Sequence, residues 1–268
     1  MTPRGVTKSL IALVFVDVLI ITSAAAAQKN LEGMWSDPPH TAAGEFCYAW
    51  CTDAGLEYLN KLLDDPANDS RPFRELLAEA AKHQLDTYIR PRLTQAALKT
   101  FPLDPASDPS FTKCEPYGAG QQIFARHQLE IRARSADRVE MRYGEWDALR
   151  TIHLNLRKDA PTEMPSLLGY SVGHWEGEVL VVETSRILPR RIFGHDGAEH
   201  SSQLQITERY VRSNDGKTLT LTATLEDPWA FKEPVVLKKI WNWSPNSRIA
   251  PYTDCERPAE SSKGAGQR

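Results

Sequence analysis

His195, Asp196, His200 and Glu208 stand in one short stretch and carry the chemistry this chain can offer. A histidine beside a carboxylate is the usual general-base arrangement, because the carboxylate orients the ring and stabilises its cation. Glu208 shares an alternating face with Leu204, Ile206 and Tyr210. A carboxylate on such a face is either paired or has its pKa raised by desolvation. The first case makes it the partner of an arginine such as Arg150 or Arg142; the second makes it a general acid or base at the floor of a pocket. His195 and His200 could also hold a metal, but Gly194 and Gly197 break any helix here, and the spacing is not that of a His-Glu-x-x-His site. The expected catalytic set is therefore Glu208, His200, His195 and Asp196, with no metal and no cofactor. Tyr143, His153, His174 and Tyr210, on strands around it, are the expected substrate contacts.

Strands must position these groups. From about residue 120 the hydrophobic period is 2. Val139, Met141 and Tyr143 alternate with Arg138, Glu140 and Arg142, and Ile152 and Leu154 alternate with Thr151 and His153. Val179 to Thr184 is a β-branched run, Leu219 to Leu225 alternates with four threonines, and a further strand covers Val235 to Trp243. Asn214-Asp215-Gly216 marks a hairpin, since glycine supplies the positive φ of a tight turn. Many short strands with turn signals predict a mainly β fold, an antiparallel barrel or sandwich. His200 precedes its strand by a few residues, so it belongs at the rim, with Glu208 inside.

Residues 41–100 have the helical period instead. Leu56, Leu59 and Leu63 recur at helical spacing, as do Phe73, Leu76, Leu77, Ala80 and Ala81. Asp69 and Ser70 are capping candidates, and a third short helix is predicted over Thr94 to Lys99. Their apolar faces need a partner, and the barrel is the large one in the chain, so the segment is expected as a helical insertion or cap.

Arg4 and Lys8, the apolar run Leu10 to Ile21 and Ala25-Ala26-Ala27 read as a signal peptide over 1–27. The run is short for a bilayer span of about 20 residues. Periplasmic or secreted location follows, with one domain over 28–256 and a disordered tail over 257–268. Removing the signal takes away a net +1, so the charge of −3 becomes −4. No basic stripe points to nucleic acid. Four cysteines, Cys47, Cys51, Cys114 and Cys255, favour disulfides in an exported chain, with three connectivities open; Cys114 and Cys255 lack the second tight pair of a four-thiolate zinc site.

No Gly-x-Ser-x-Gly elbow, Walker loop or dinucleotide fingerprint is present. Two classes of function remain. One is an exported enzyme using a His/carboxylate pair for non-redox chemistry, as a lyase, isomerase or hydrolase, on a small and largely apolar organic molecule. The other is a carrier or binding protein for a hydrophobic ligand. They differ in whether titratable groups converge in the cavity.

Several motifs recur in a fixed order: Pro91-Arg92-Leu93-Thr94, Asp108-Pro109, Cys114-Glu115-Pro116-Tyr117-Gly118, Gly169-Tyr170-Ser171-Val172-Gly173-His174-Trp175-Glu176-Gly177, Leu180 to Thr184, His200 to Leu204, Thr207-Glu208-Arg209, Glu226-Asp227-Pro228 and Cys255. This order resembles a widespread, mostly uncharacterised family of exported bacterial proteins with a lipocalin-like (calycin-type) β-barrel. The resemblance covers roughly residues 91–256. It implies a lipocalin-like barrel, and it retains Cys114 and Cys255 without the helical insertion. The pairing it favours is Cys114 with Cys255, leaving Cys47 with Cys51.

Overall fold

The computed structural model describes residues 31–154, 164–195 and 197–252. The signal segment, Asp196, Cys255 and the C-terminal tail lie outside the described residues. The strands are β1 (Gly33–Ser36), β2 (Leu129–Ser135), β3 (Arg138–Tyr143), β4 (Leu149–Leu154), β5 (Tyr170–Glu176), β6 (Val179–Ser185), β7 (Arg191–Ile192), β8 (Ala198–Glu199), β9 (Gln205–Arg212), β10 (Thr218–Glu226) and β11 (Val235–Trp243). Nine of them close a barrel in the order β1-β11-β10-β9-β6-β5-β4-β3-β2, and β7 and β8 form a separate two-stranded ribbon.

The period-2 pattern places the core. Leu219, Leu221, Ala223 and Leu225 of β10 point inward and are fully buried, while the threonines between them point outward. The β9–β10 hairpin turns at Gly216, whose φ is +72°. Trp35 is fully buried at the end of β1. The Trp243 ring lies over Gly33, where a Cβ would come within 2.1 Å of it, and meets Trp35 edge-on at 5.0 Å. A glycine is thus required for the two indoles to close this part of the core.

Strand polarity departs from the antiparallel expectation at one seam. β4 and β5 run parallel and share only three register pairs, Ile152 with Ser171, His153 with Val172 and Leu154 with Gly173. The long connection from β4 to β5 allows this, since a parallel return needs a dozen or more residues whereas a hairpin needs as few as two.

The helical segment is present as α1 (Ala42–Phe46), α2 (Asp53–Asp64), α3 (Phe73–Gln84), α4 (Arg90–Arg92) and α5 (Gln95–Leu98), followed by α6 (Pro109–Thr112) and α7 (Ala119–Gln122). A π turn over Leu85–Ile89 joins α3 to α4. Thr94 caps α5, within the predicted Thr94 to Lys99 helix, but α3 starts at Pro72 with no side-chain cap, so neither Asp69 nor Ser70 serves there. Leu59, Leu76 and Ala80 are buried with Phe46, Cys47 and Cys51 in a cluster that reaches Ile240 of β11. Ile89, Leu93, Ala97 and Phe101 belong to the main core. Cys47 and Cys51 are disulfide-bonded, and the Cys51 backbone pairs with Lys238 of β11. Cys114 is also a disulfide cysteine; its expected partner, Cys255, lies outside the described residues. Among the described residues no helix is long and apolar enough to cross a membrane.

Three charged side chains, Lys239, Arg150 and Glu208, are buried inside the barrel. Lys239 of β11 donates to the carbonyls of Tyr48, Phe124 (3.4 Å) and Ala125 (2.7 Å). Burial, reinforced by the Arg126 charge, pulls its pKa well below the ordinary lysine value, yet three carbonyl acceptors match the three N–H groups of an ammonium. The other two, Arg150 and Glu208, form an ion pair.

Candidate active site

Glu208 lies inside the barrel, fully buried, as its strand face predicts. It is there as half of an ion pair. Arg150 of β4 donates to Glu208 from Nη1 at 2.8 Å and from Nη2 at 2.5 Å. The Arg150 Nε donates to Ser171 of β5 at 2.9 Å, and its Nη2 reaches Thr184 of β6. Thr184 and Tyr210 also donate to the carboxylate, at 3.2 Å and 2.7 Å. The carboxylate's four hydrogen bonds therefore come from an arginine, a threonine and a tyrosine, none from a histidine. Burial, with the Glu208 charge next, raises the Tyr210 pKa well above its ordinary value, so the phenol remains a donor. Tyr143 is buried in the same bore. Arg142, the other candidate partner, points outward to Asp147 at 2.6 Å.

His200 is 2% exposed, and both its ring nitrogens are occupied. Nδ1 lies 2.8 Å from the Ser201 carbonyl, so it donates, and Nε2 accepts from the Arg190 amide at 3.2 Å. This neutral ring pins the start of β7 to the end of β8, and no ring atom is left for a substrate. Burial lowers its pKa below the usual histidine range. The unfolded chain therefore binds this proton more readily than the native one, and stability falls as pH drops below about 6.5 towards the native value. His200→Asn is expected to flatten this slope. Urea midpoints of both proteins at pH 7.5 and 5.5 measure it, and equal slopes refute the assignment.

His195 is placed differently. The β7–β8 ribbon presents it on the tight loop between Ile192 and Ala198. Gly197 makes this loop possible, because a Cβ there would sit 1.7 Å from the Ile192 carbonyl oxygen. Arg191 braces the loop from inside, donating to the carbonyls of His195 and Asp104 and to Ser107 Oγ. The His195 Nδ1 lies 2.8 Å from Oδ2 of Asp108, not of its neighbour in sequence. Since an ionised carboxylate only accepts, Nδ1 carries a proton, and in the neutral ring Nε2 carries the lone pair. Nε2 faces the Tyr117 hydroxyl at 3.3 Å. Phe111 packs on the ring at 4.5 Å.

Asp108 is the N-cap of α6, ahead of Pro109, and its Oδ1 accepts from the Ser110 amide at 2.8 Å and hydroxyl at 2.7 Å. Burial acts to raise its pKa. The bonds from His195 and Ser110, with the Arg191 charge, outweigh that and hold the carboxyl below its ordinary value.

A second histidine–carboxylate pair stands nearby. His127 Nδ1 bonds Glu145 Oε2, and Tyr252 packs on the His127 ring at 4.3 Å. Burial raises the Glu145 pKa, against the opposing charges of His127, His195 and Lys239. The consecutive residues Trp146 and Asp147 follow it in the left-handed region, at φ 60° and 49°. Such backbone costs of order 1–3 kcal/mol per residue and concentrates at functional sites.

Three clefts of about 520, 580 and 500 Å³ share the Tyr117 side chain as a wall. Asp108, Arg190 and His200 border the first. His195 and Glu145 line the second together with Trp50, Phe124 and Phe193. The third opens where β4 and β5 diverge and is bordered by His153 and Tyr170, whose rings stack at 5.1 Å.

No family model, curated protein or solved structure matches this chain.

Of the sequence-predicted residues, His195 lines one cleft and His153 borders another. Glu208, Tyr143 and Tyr210 lie together in the packed bore. His174 is exposed, with its Nε2 3.2 Å from Glu176, and Asp196 lies outside the described residues. Asp108, Tyr117, Glu145 and His127 were not singled out as site residues. Two signals were available: the Asp-Pro-Ser start of a helix at Asp108, and the Cys-Glu-Pro-Tyr-Gly motif that holds Tyr117.

Proposed function

We propose that the chain is an exported, cofactor-independent acid/base enzyme of the lipocalin-like family its motif order resembles. It acts as a lyase, isomerase or hydrolase on a small, largely apolar organic molecule. One observation carries this reading: His195 is held between the Asp108 carboxylate and the Tyr117 hydroxyl, where it lines an open cleft. Asp108 fixes the tautomer that leaves Nε2 basic and stabilises the imidazolium once a proton is taken. Tyr117 is the group through which that proton can be relayed. Glu145, its pKa raised by burial, stands in the same cleft as a second titratable group that can act as the acid.

The bore itself is filled by side chains from Trp35 to Trp241 and by the Arg150–Glu208 pair, which favours the clefts over a ligand carried inside the barrel. A disulfide between Cys47 and Cys51 agrees with an oxidising compartment.

The test is proton NMR of the purified protein in D2O with a panel of aromatic esters, epoxides and ketones bearing acidic C–H bonds. The expected result is turnover or deuterium incorporation, reduced about 10²-fold or more in His195→Ala and unchanged in His174→Ala. Binding without either reaction, equal in wild type and His195→Ala, supports a binding module instead.

A further inference from the structure

The chemistry of the second cleft also limits what can enter it. Trp50, Phe124 and Phe193 supply aromatic walls, with the Trp50 and Phe193 rings 5.6 Å apart. Among the described residues, Arg126 is the one lysine or arginine that lines it. The other arginines at the clefts are committed. Arg190 pairs with Glu115 at 2.8 Å, Arg191 is spent on backbone carbonyls and Ser107, and Arg150 is buried against Glu208. Arg126 is exposed, lies over the Tyr48 ring at 5.8 Å, and has no carboxylate within ion-pair distance among the described residues. Glu145 does not neutralise it, because its carboxylate is bonded to His127. The backbone that carries Arg126 is fixed, since Lys239 holds the preceding carbonyls of Phe124 and Ala125.

We infer that this cleft takes an organic acid: an aromatic or apolar body between Trp50, Phe124 and Phe193, and one carboxylate held by Arg126. This rests on the reading of the cleft as the site of His195, and it specifies the substrate class. A planar guanidinium with free donors recognises a carboxylate bidentately, and aromatic walls remove the rest of the molecule from water. His195 and Tyr117 then meet the atoms of the body, at a distance from the bound charge.

The experiment is calorimetric titration of the whole protein with 2-naphthoate and with 2-naphthamide, which share a shape and differ in charge. Naphthoate is expected to bind at least about 10-fold more tightly, with an advantage that shrinks as salt rises. Arg126→Gln is expected to abolish the difference while leaving naphthamide affinity unchanged. Equal affinities for the two probes, or a preference that survives in Arg126→Gln, overturn the inference. His195→Gln should keep the naphthoate preference. A protein that prefers naphthoate through Arg126 yet turns over no substrate would thus refute the catalytic reading alone.

Discussion

Glu208→Gln is expected to lose about 3–5 kcal/mol of stability, the usual cost of leaving one member of a buried ion pair without its partner. The glutamine keeps the shape of the side chain and can still accept from Tyr210. It cannot neutralise Arg150, which is 2% exposed. The pair also has a mechanical position. Arg150, Ser171, Thr184 and Glu208 stand on β4, β5, β6 and β9, four neighbouring strands of the barrel. Their network crosses the parallel β4–β5 seam, where only three residue pairs hold the backbone together. Amide exchange in Glu208→Gln should therefore speed up first in β4 and β5. The double variant Arg150→Met/Glu208→Leu removes both charges and should recover most of the loss, because apolar replacements of buried pairs are often neutral or stabilising. Activity per folded molecule should stay at the wild-type level. A Glu208→Gln protein of normal stability, measured by urea unfolding, or one that is folded but inactive, would return Glu208 to the catalytic set.

Alternation was enough to read the barrel and to find Glu208. It also contained the identity of the partner. Arg150 is in phase with Ile152 and Leu154, which point inward, whereas Arg142 is out of phase with Met141 and Tyr143. What alternation cannot give is the distance between segments far apart in the chain. His195 finds its carboxylate at Asp108, brought to it by a short ribbon and a helix cap, while the sequence alone offered the adjacent Asp196. The parallel seam was hidden for a similar reason. Strand patterns report which face is buried and say nothing about direction, and here the long connection before β5 was the sole signal. The helical segment was legible because its period changes abruptly. Its burial partner, β11, was fixed by pairings between Cys51 and Lys238 that no local pattern encodes.

Asp108→Asn is expected to inactivate the site while leaving the fold intact, and the geometry explains why one atom is enough. Asn is as good an N-cap as Asp, so α6 keeps its start. The Ser110 amide and hydroxyl both donate to Oδ1, which forces the asparagine oxygen into that position. Its NH2 then replaces Oδ2 and faces the His195 Nδ1. An amide NH2 can only donate, so Nδ1 must become the acceptor and the ring proton moves to Nε2. The lone pair that faced Tyr117 is gone, and with it the basic edge of the cleft. Loss of a correctly held tautomer costs on the order of 10⁴ in rate in the serine protease triad, and about 10²–10⁴ is the ordinary worth of a general base. Nitrogen-15 chemical shifts of His195 read the tautomer directly, without any substrate. The wild type should show a protonated Nδ1 and a bare Nε2, and Asp108→Asn the reverse, with unfolding midpoints that differ little. A His195 ring with the same tautomer in both proteins, or an Asp108→Asn protein as active as wild type on a substrate that needs His195, leaves Asp108 as a helix cap and nothing more.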